Sequence, residues 1–166
     1  MTRTALEFLT IDVAQHFPLC VQFSEDMFQC SFGTVERFRG TDGRGQQRYQ
    51  EALLRNTLQD PSGHVHAWRE GEIMGQIEVG RFWEDPSAGF LYFLYVVAPY
   101  RGTGIASELD NYITDYFRHR GLRTAYLLVS PANVRAVRFY LKQGWQDLGA
   151  YERDKANHLM RKTYAQ

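Results

Sequence analysis

The sequence predicts a fold of the α/β class, in an α+β arrangement, on three observations. Residues Phe90 to Val97 are almost wholly apolar, as in a strand that is buried on both faces. A glycine-containing turn follows directly and leads into a long segment with helical spacing of its apolar residues. On either side of this unit, segments with strand and helix periodicity alternate along the chain, which is typical of helices packed on a central sheet.

Composition favours one globular domain over residues 1–166. Of these residues 44% are hydrophobic and 14% aromatic, enough for a packed core. The 19 basic and 19 acidic residues balance, which argues against a nucleic-acid partner. The two cysteines, Cys20 and Cys30, fall on one predicted helix, so neither a disulfide framework nor a metal site is expected. No signal pattern or bilayer-length apolar run occurs, and we expect a cytoplasmic protein without a membrane partner.

Six segments are predicted in the first half of the chain, and one of them is a mobile loop. They are a strand at 6–11, a helix at 15–30, a loop at 31–45, a helix at 46–58, and hairpin strands at 64–69 and 72–83.

The second half begins with a predicted turn at 85–89 before the central strand. A helix from residue 105 carries one apolar stripe and ends at the glycine of 121. The remaining segments are a buried strand at 124–129, a helix at 133–143, and closing strands at 145–151 and 158–163.

The turn after the central strand predicts a site for a phosphate-bearing ligand. A helix that starts there has N–H groups without partners, and glycines let an anion approach them. The glycines do not fit a P-loop, which needs a following Lys-Ser or Lys-Thr. They do not fit the dinucleotide motif either, because Ser107 stands where a third glycine, or an alanine, is required.

Two ordered motifs carry a family resemblance. The first is Leu94-x-Val96-x-x-Pro99 followed by R/Q-x-x-G-x-G/A, which starts at Arg101, and the second is N-x-x-A-x-x-F-Y-x-x-x-G-[FW], from Asn133 to Trp145. Together they resemble the GNAT N-acetyltransferase superfamily, over about residues 72–163, the expected CoA-binding core. The resemblance implies a mixed central sheet of about 6–7 strands, flanked by about four helices and splayed after the glycine-motif strand.

The resemblance also implies an activity and a cofactor. An acetyl group would pass from acetyl-CoA to a primary amine of a small molecule or peptide by direct attack. Backbone groups of Leu94 and Val96 would pair with the pantetheine arm, and Asn133, a natural N-cap, would also contact it. The pyrophosphate would lie on the N–H groups of Arg101, Gly102, Thr103, Gly104, Ile105 and Ala106.

The same resemblance suggests catalytic candidates. Tyr140 is the candidate acid, because a phenol can protonate the departing thiolate. Some family members carry a glutamate that serves as the general base where this chain has Phe90. Tyr92, on the same strand face, and Glu78, on the preceding strand, are therefore the candidate bases. No base is required if the substrate amine has a low pKa or if water relays the proton.

The acceptor and the partners stay open. Acidic and aromatic residues in the first two helices, their loop and the later hairpin suit a cationic amine with an apolar body; they are Glu25, Asp26, Phe28, Phe32, Glu36, Phe38, Phe82, Trp83, Glu84 and Asp85. The closing strands could form a homodimer face. His64 and His66 are expected to be surface residues of an outer strand and not zinc ligands.

Three alternative functions also remain open. The chain could be a catalytically idle domain of the same fold that binds CoA as a sensor or scaffold. It could bind a phosphate ligand unrelated to CoA, although both familiar nucleotide motifs are missing. It could also use a longer acyl donor such as succinyl-CoA.

Overall fold

A computed structural model describes residues 3–165, which form seven strands and five helices. The strands are β1 Glu7–Thr10, β2 His64–Arg69, β3 Glu72–Phe82, β4 Asp85–Val96, β5 Thr124–Val129, β6 Gln146–Tyr151 and β7 Asp154–Thr163. The helices are α1 Val13–Phe32, α2 Glu36–Arg39, α3 Gly45–Gln59, α4 Ile105–His119 and α5 Val134–Lys142.

The strands form one mixed sheet, as the resemblance implied. Within the described residues its order is β1-β2-β3-β4-β5-β7-β6. Strands β4 and β5 run parallel, with Gly89 opposite Ala125, whereas the β1–β2, β2–β3, β5–β7 and β6–β7 pairs are antiparallel. The parallel pair is joined through α4, the crossover helix that such a connection requires.

The chain divides into two compact units. The first comprises residues up to Glu78 together with Phe93–Leu109, and the second comprises Val79–Tyr92 and the residues from Asp110 onward. In the first unit, two apolar clusters form the core beneath α1: Ile11, Val13, Phe17, Cys20 and Leu53 in one, and Phe23, Phe93 and Tyr95 in the other.

The second unit has its own apolar cluster, made by Phe82, Ala88 and Phe90 against side chains of β5 and β7. Helix α4 packs closely on β4 here. A Cβ at Gly89 would lie 2.3 Å from the buried Phe117 ring, so a glycine is needed for this approach.

Three local expectations were wrong. The predicted loop at 31–45 contains the one-turn helix α2. The predicted turn at 85–89 is the start of β4, and the turn comes earlier, at Trp83–Glu84. His64 and His66 are buried on an inner strand, where His66 contacts Gln76 at 2.8 Å, because β1 pairs along the outer side of β2. No helix in the described range combines the length and apolar character needed to cross a bilayer.

Candidate active site

The turn before α4 has the backbone of an anion cradle. Gly102 and Gly104 adopt φ values of 76° and 93°, a region that disfavours residues with a Cβ. Helix α4 begins at Ile105, and within residues 3–165 the N–H groups of residues 102–106 have no hydrogen-bond acceptor. These N–H groups are available to oxygen atoms of a phosphate. We call residues 101–106 the glycine loop.

Two side chains hold the tip of the glycine loop. The Thr103 hydroxyl donates to the Tyr100 carbonyl at 2.5 Å. The Thr103 carbonyl in turn accepts a hydrogen bond from Nη1 of Arg3, at 2.6 Å. The loop is therefore held by contacts with the N-terminal segment and with the residue that precedes the loop.

Arg101 braces the start of the loop. Its backbone N–H donates to the Ala98 carbonyl at 3.3 Å, and its Nε donates to the Val96 carbonyl at 2.9 Å. Its Nη2 donates to Oδ2 of Asp26, on α1, at 2.8 Å. The Arg101 N–H, which was expected to contact the phosphate, already donates to the Ala98 carbonyl.

Asp26 is held by a second donor, the Tyr95 hydroxyl, at 2.5 Å from the same oxygen. Burial would raise the pKa of Asp26, but the hydrogen bonds from Tyr95 and Arg101 outweigh it and lower the pKa below its usual range. Burial and the neighbouring Asp26 raise the pKa of Tyr95, so the proton stays on the phenol. Through these bonds Asp26, one of the acidic residues named above for the acceptor, connects α1 to β4 and the glycine loop.

The strand segment before the loop carries Leu94 and Val96, the residues expected to pair with pantetheine. Val96 is buried and Leu94 is partly buried. The segment is fixed against β3: the Val97 N–H donates to the Met74 carbonyl at 3.0 Å, and a Cβ at Gly75 would lie 2.4 Å from the Tyr95 carbonyl. Close backbone packing therefore holds this end of β4 in place.

Glu78 lies on β3 in a buried polar cluster of the first unit. Its Oε2 accepts hydrogen bonds from the Tyr49 hydroxyl at 2.8 Å and from Nε2 of Gln76 at 2.9 Å. Its Oε1 makes no hydrogen bond to any residue between Arg3 and Ala165. One carboxylate oxygen is thus held and the other can still accept a proton.

The surroundings of Glu78 favour its protonated form. Burial raises the pKa of Glu78, although the donors Tyr49 and Gln76 and the nearby His64 oppose that effect. Burial also lowers the pKa of His66 to about 4, so this histidine is neutral and donates from Nε2 to the Gln76 oxygen. No cation hydrogen-bonds to Glu78, and the net direction of its pKa shift is upward.

In the second unit, α5 carries Tyr140 and Asn133. The Asn133 side chain caps the helix by accepting from the Ala136 N–H at 3.2 Å, as expected. Tyr140 is buried, with its ring against Phe139 and Trp145. Burial raises the pKa of Tyr140, and the charge of Asp110 raises it further, so the phenol holds its proton at neutral pH.

Tyr92 and Trp83 form an exposed aromatic surface in the second unit. Their ring centroids lie 6.2 Å apart, with Phe90 beside both, and the Tyr92 hydroxyl donates to the Arg81 carbonyl at 2.8 Å. Burial raises the pKa of Tyr92. A phenol that already donates its proton and resists ionisation is a poor base.

A surface pocket of about 450 Å³ adjoins Trp83 in the same unit. The Glu84 carboxylate lines it and accepts a hydrogen bond from the Tyr151 hydroxyl, with Arg153 at 3.4 Å. The other lining residues come from β6, from the β6–β7 turn and from β7. The pocket therefore joins an aromatic face to a carboxylate, the combination expected for a cationic amine.

The predicted site residues are divided between the units. The first unit holds Glu78, Leu94, Val96 and the glycine loop, and the second holds Tyr92, Asn133 and Tyr140. Sequence reasoning missed Tyr49, Gln76 and Tyr95, the side chains that tune the two carboxylates. They lie up to 69 residues from their partners in sequence, and no motif marks them.

Comparisons with known proteins agree with this geometry. The profile of the Acetyltransferase (GNAT) family matches residues 25–145. An uncharacterized N-acetyltransferase of Archaeoglobus fulgidus is 30% identical over 117 residues, which cover 68% of this chain and 78% of the relative. A mycothiol acetyltransferase of Stackebrandtia nassauensis is 35% identical over 92 residues, but these cover 52% of this chain and only 29% of the relative.

Among solved structures, the PaiA N-acetyltransferase of Thermoplasma acidophilum, in complex with coenzyme A, is similar to this chain with a TM-score of 0.77. The two are 16% identical, and the match covers 97% of this chain and 100% of the other. A GNAT-family acetyltransferase of Staphylococcus aureus matches with a TM-score of 0.74 and 18% identity, over 96% of this chain and 99% of the other. At these identities the likeness concerns the fold.

Proposed function

Because the chain belongs to the GNAT family of acetyltransferases, we propose that it transfers the acetyl group of acetyl-CoA to a primary amine of a small molecule or peptide. Acetyl-CoA is the donor used by this family. The observation that carries the proposal is the glycine loop, whose N–H groups at residues 102–106 have no acceptor within the described chain. These groups and the dipole of the fifteen-residue helix α4 would bind the diphosphate of the donor.

Backbone groups of Leu94 and Val96 would pair with the pantetheine arm, and the Asn133 side chain would contact the arm while it caps α5. Because the Val96 carbonyl already accepts from Arg101, its second lone pair is the one available to the cofactor. Gly102, Thr103, Gly104, Ile105 and Ala106 would supply the N–H groups for the diphosphate. Arg101 would hold this arrangement in place.

Glu78 is the base that the electrostatics favour over Tyr92. In the reaction, the free amine nitrogen attacks the thioester carbonyl carbon, and its excess proton passes to Oε1 of Glu78, directly or through water. A carboxylate with a raised pKa accepts this proton more readily than an ordinary one. Tyr92, whose hydroxyl proton is donated to Arg81, would instead be a packing residue of the aromatic surface.

Tyr140 is the acid in this proposal. As the tetrahedral intermediate collapses, the carbon–sulfur bond breaks, the sulfur takes the electron pair, and the Tyr140 hydroxyl gives it a proton. The products are the acetylated amine and the free thiol of CoA. The raised pKa of Tyr140 keeps the phenol protonated until the thiolate forms.

The acceptor would be a cationic amine with an apolar body. Trp83 offers an exposed ring and Glu84 a carboxylate at the second-unit pocket.

The test is release of CoA thiol from acetyl-CoA in the presence of a panel of primary amines, followed by mass analysis of the acetylated product. We expect turnover with aromatic or aliphatic amines. Tyr140→Phe should lower kcat by about a hundredfold, the scale of one proton-transfer catalyst, without changing affinity for acetyl-CoA.

Tyr164→Phe is a matched control, because Tyr164 is a second buried phenol whose pKa is raised by burial and by Asp110. This variant should keep its kcat. If the wild-type protein binds acetyl-CoA tightly but acetylates none of the amines, the chain is instead an idle CoA-binding domain.

A further inference from the structure

An arginine from the N-terminal segment lies at the mouth of the glycine loop. Nη1 of Arg3 donates to the Thr103 carbonyl at 2.6 Å, and it lies 3.8 Å from the point that a Cβ of Gly104 would occupy. The residue is exposed and, within the described part of the chain, forms no ion pair with a carboxylate. An uncompensated positive charge therefore stands beside N–H groups that have no acceptor.

The arginine of the loop itself cannot supply this charge. The guanidinium of Arg101 is 2.8 Å from Asp26, and its Nε is bound to the Val96 carbonyl. Releasing it toward a phosphate would break the brace that fixes the loop and leave Asp26 without its cation. In the first unit, Arg3 is the cation that remains beside residues 102–104.

The N-terminal segment that carries Arg3 is fastened by its own contacts. Nε of the buried Arg69 donates to the Thr4 carbonyl at 2.7 Å, and Nη2 of Arg69 contacts both carboxylate oxygens of Glu108, in the first turn of α4, at 3.0 Å each. The Thr4 hydroxyl donates to Glu70 at 3.0 Å. These bonds connect Thr4, the residue after Arg3, to the first turn of α4, which follows the glycine loop.

We propose that Arg3 is a cofactor-binding residue, which places its guanidinium on the diphosphate of acyl-CoA at the glycine loop; the inference rests on the proposed function. One N–H of Arg3 is used on Thr103, and the others remain for phosphate oxygens, since a guanidinium carries five N–H donors in a planar fork. The contact to Thr103 sets the position of the group. The backbone N–H groups and Arg3 then bind the same anion with complementary donors.

Calorimetric titration of Arg3→Gln, Arg3→Lys and the wild-type protein tests this assignment with three probes: CoA, 3′-dephospho-CoA and pantetheine. Gln retains a donor for Thr103 but lacks the charge. We expect Arg3→Gln to weaken CoA and 3′-dephospho-CoA by about tenfold, the scale of a charge-assisted hydrogen bond at a surface site, and Arg3→Lys to recover part of the loss. Pantetheine, which has no phosphate, should bind all three proteins equally.

Arg55→Gln is the matched control, because Arg55 is an exposed arginine of α3 in the same unit. It should bind all three probes like the wild type. Equal binding of CoA by Arg3→Gln and wild type would overturn the inference. An equal loss of affinity for pantetheine would also overturn it, because Arg3 would then only stabilise the loop. A loss of affinity confined to CoA would overturn it too, because Arg3 would then contact the 3′-phosphate. A wild-type protein that binds no CoA would refute the proposed function instead.

Discussion

Glu78 and Asp26 lie in the same unit, and each accepts a hydrogen bond from a tyrosine, yet their electrostatic states are opposite. Asp26 receives Tyr95 and the guanidinium of Arg101, and its pKa is lowered. Glu78 receives Tyr49 and the neutral amide of Gln76, with no cation hydrogen-bonded to it, and its pKa is raised. Hydrogen bonds thus favour the ionised form of Asp26, whereas burial favours the protonated form of Glu78.

In the proposed mechanism, this difference gives Asp26 a structural role and Glu78 the role of the base. An ionised Asp26 can hold Arg101 and the glycine loop across the working pH range, but it cannot exchange protons. Glu78 accepts a proton more readily than an exposed glutamate, because burial raises its pKa and no cation is hydrogen-bonded to it. Each carboxylate accepts from a tyrosine, so the tyrosines do not explain the difference. Burial and the second donor set the direction of each pKa shift.

Removing the charge of Glu78 should have the largest effect on turnover. Glu78→Gln keeps an oxygen that can accept from Tyr49 and Gln76, so the fold should persist. We expect kcat to fall by at least about a hundredfold, because a general base contributes on that scale, while the Kd for acetyl-CoA is unchanged. Steady-state kinetics with a reactive amine and calorimetry measure the two quantities.

Glu7→Gln, at an exposed glutamate of β1 in the same unit, is the control and should retain wild-type kcat. A Glu78→Gln protein with wild-type kcat would show that no base is needed or that another group serves.

A smaller effect is expected when Tyr49 is changed. The Tyr49 hydroxyl lowers the pKa of Glu78, so Tyr49→Phe should raise that pKa further. The wild-type kcat/KM should fall on acidification, with a midpoint above the ordinary glutamate pKa of 4.5, and the variant's midpoint should lie at higher pH. Its rate should be several-fold lower at neutral pH and recover at alkaline pH. Coincident profiles for the two proteins would contradict the assignment.

Asp26→Asn should change cofactor binding more than chemistry. An amide oxygen still accepts from Tyr95 and Arg101, but the ion pair is lost, and the Asp26 side chain is 38% exposed, so the pair contributes about 1 kcal/mol or less. We expect the KM for acetyl-CoA to rise a few-fold at unchanged kcat. Asp42→Asn, which breaks the exposed Asp42–Arg48 pair, should leave KM unchanged. A fall in kcat without a change in KM would contradict the role of the Asp26–Arg101 pair in holding the glycine loop.

The smallest effect concerns stability. Because the pKa of Glu78 is higher in the folded than in the unfolded state, its ionisation opposes folding, and this destabilisation appears as pH rises through the folded pKa. The Tm of Glu78→Gln should therefore equal or slightly exceed that of wild type at neutral pH, and the advantage should vanish on acidification. Melting curves across pH measure it, and an advantage that grows at low pH would contradict the raised pKa.

The sequence was sufficient for the elements whose determinants are local. The strand at 124–129 and the glycine loop follow from nearby residues, because apolar runs and glycines specify them directly. The start of β4 was misassigned because Pro86 and Gly89 are typical turn residues, whereas here Gly89 provides space for Phe117 of α4. Such tertiary packing is not encoded in a local pattern.

The candidate site was predictable only in part, for the same reason. Tyr140 and Asn133 lie in a motif, and Glu78 was found as one of two candidate bases. The pKa shifts of Glu78 and Asp26 depend on partners far along the chain. These partners are Tyr49 for Glu78, and Tyr95 with Arg101 for Asp26. Arg3 and Thr103 are one hundred residues apart, and only the fold brings them together.

The most direct test is calorimetric titration of the purified protein with acetyl-CoA, with ATP as the comparison ligand. We expect a Kd in the micromolar range for acetyl-CoA and no binding of ATP. Gly104→Val, whose side chain is strained at a φ of 93°, should lose acetyl-CoA binding. A folded wild-type protein that does not bind acetyl-CoA would contradict the assignment of the glycine loop, and with it the proposed acetyl transfer.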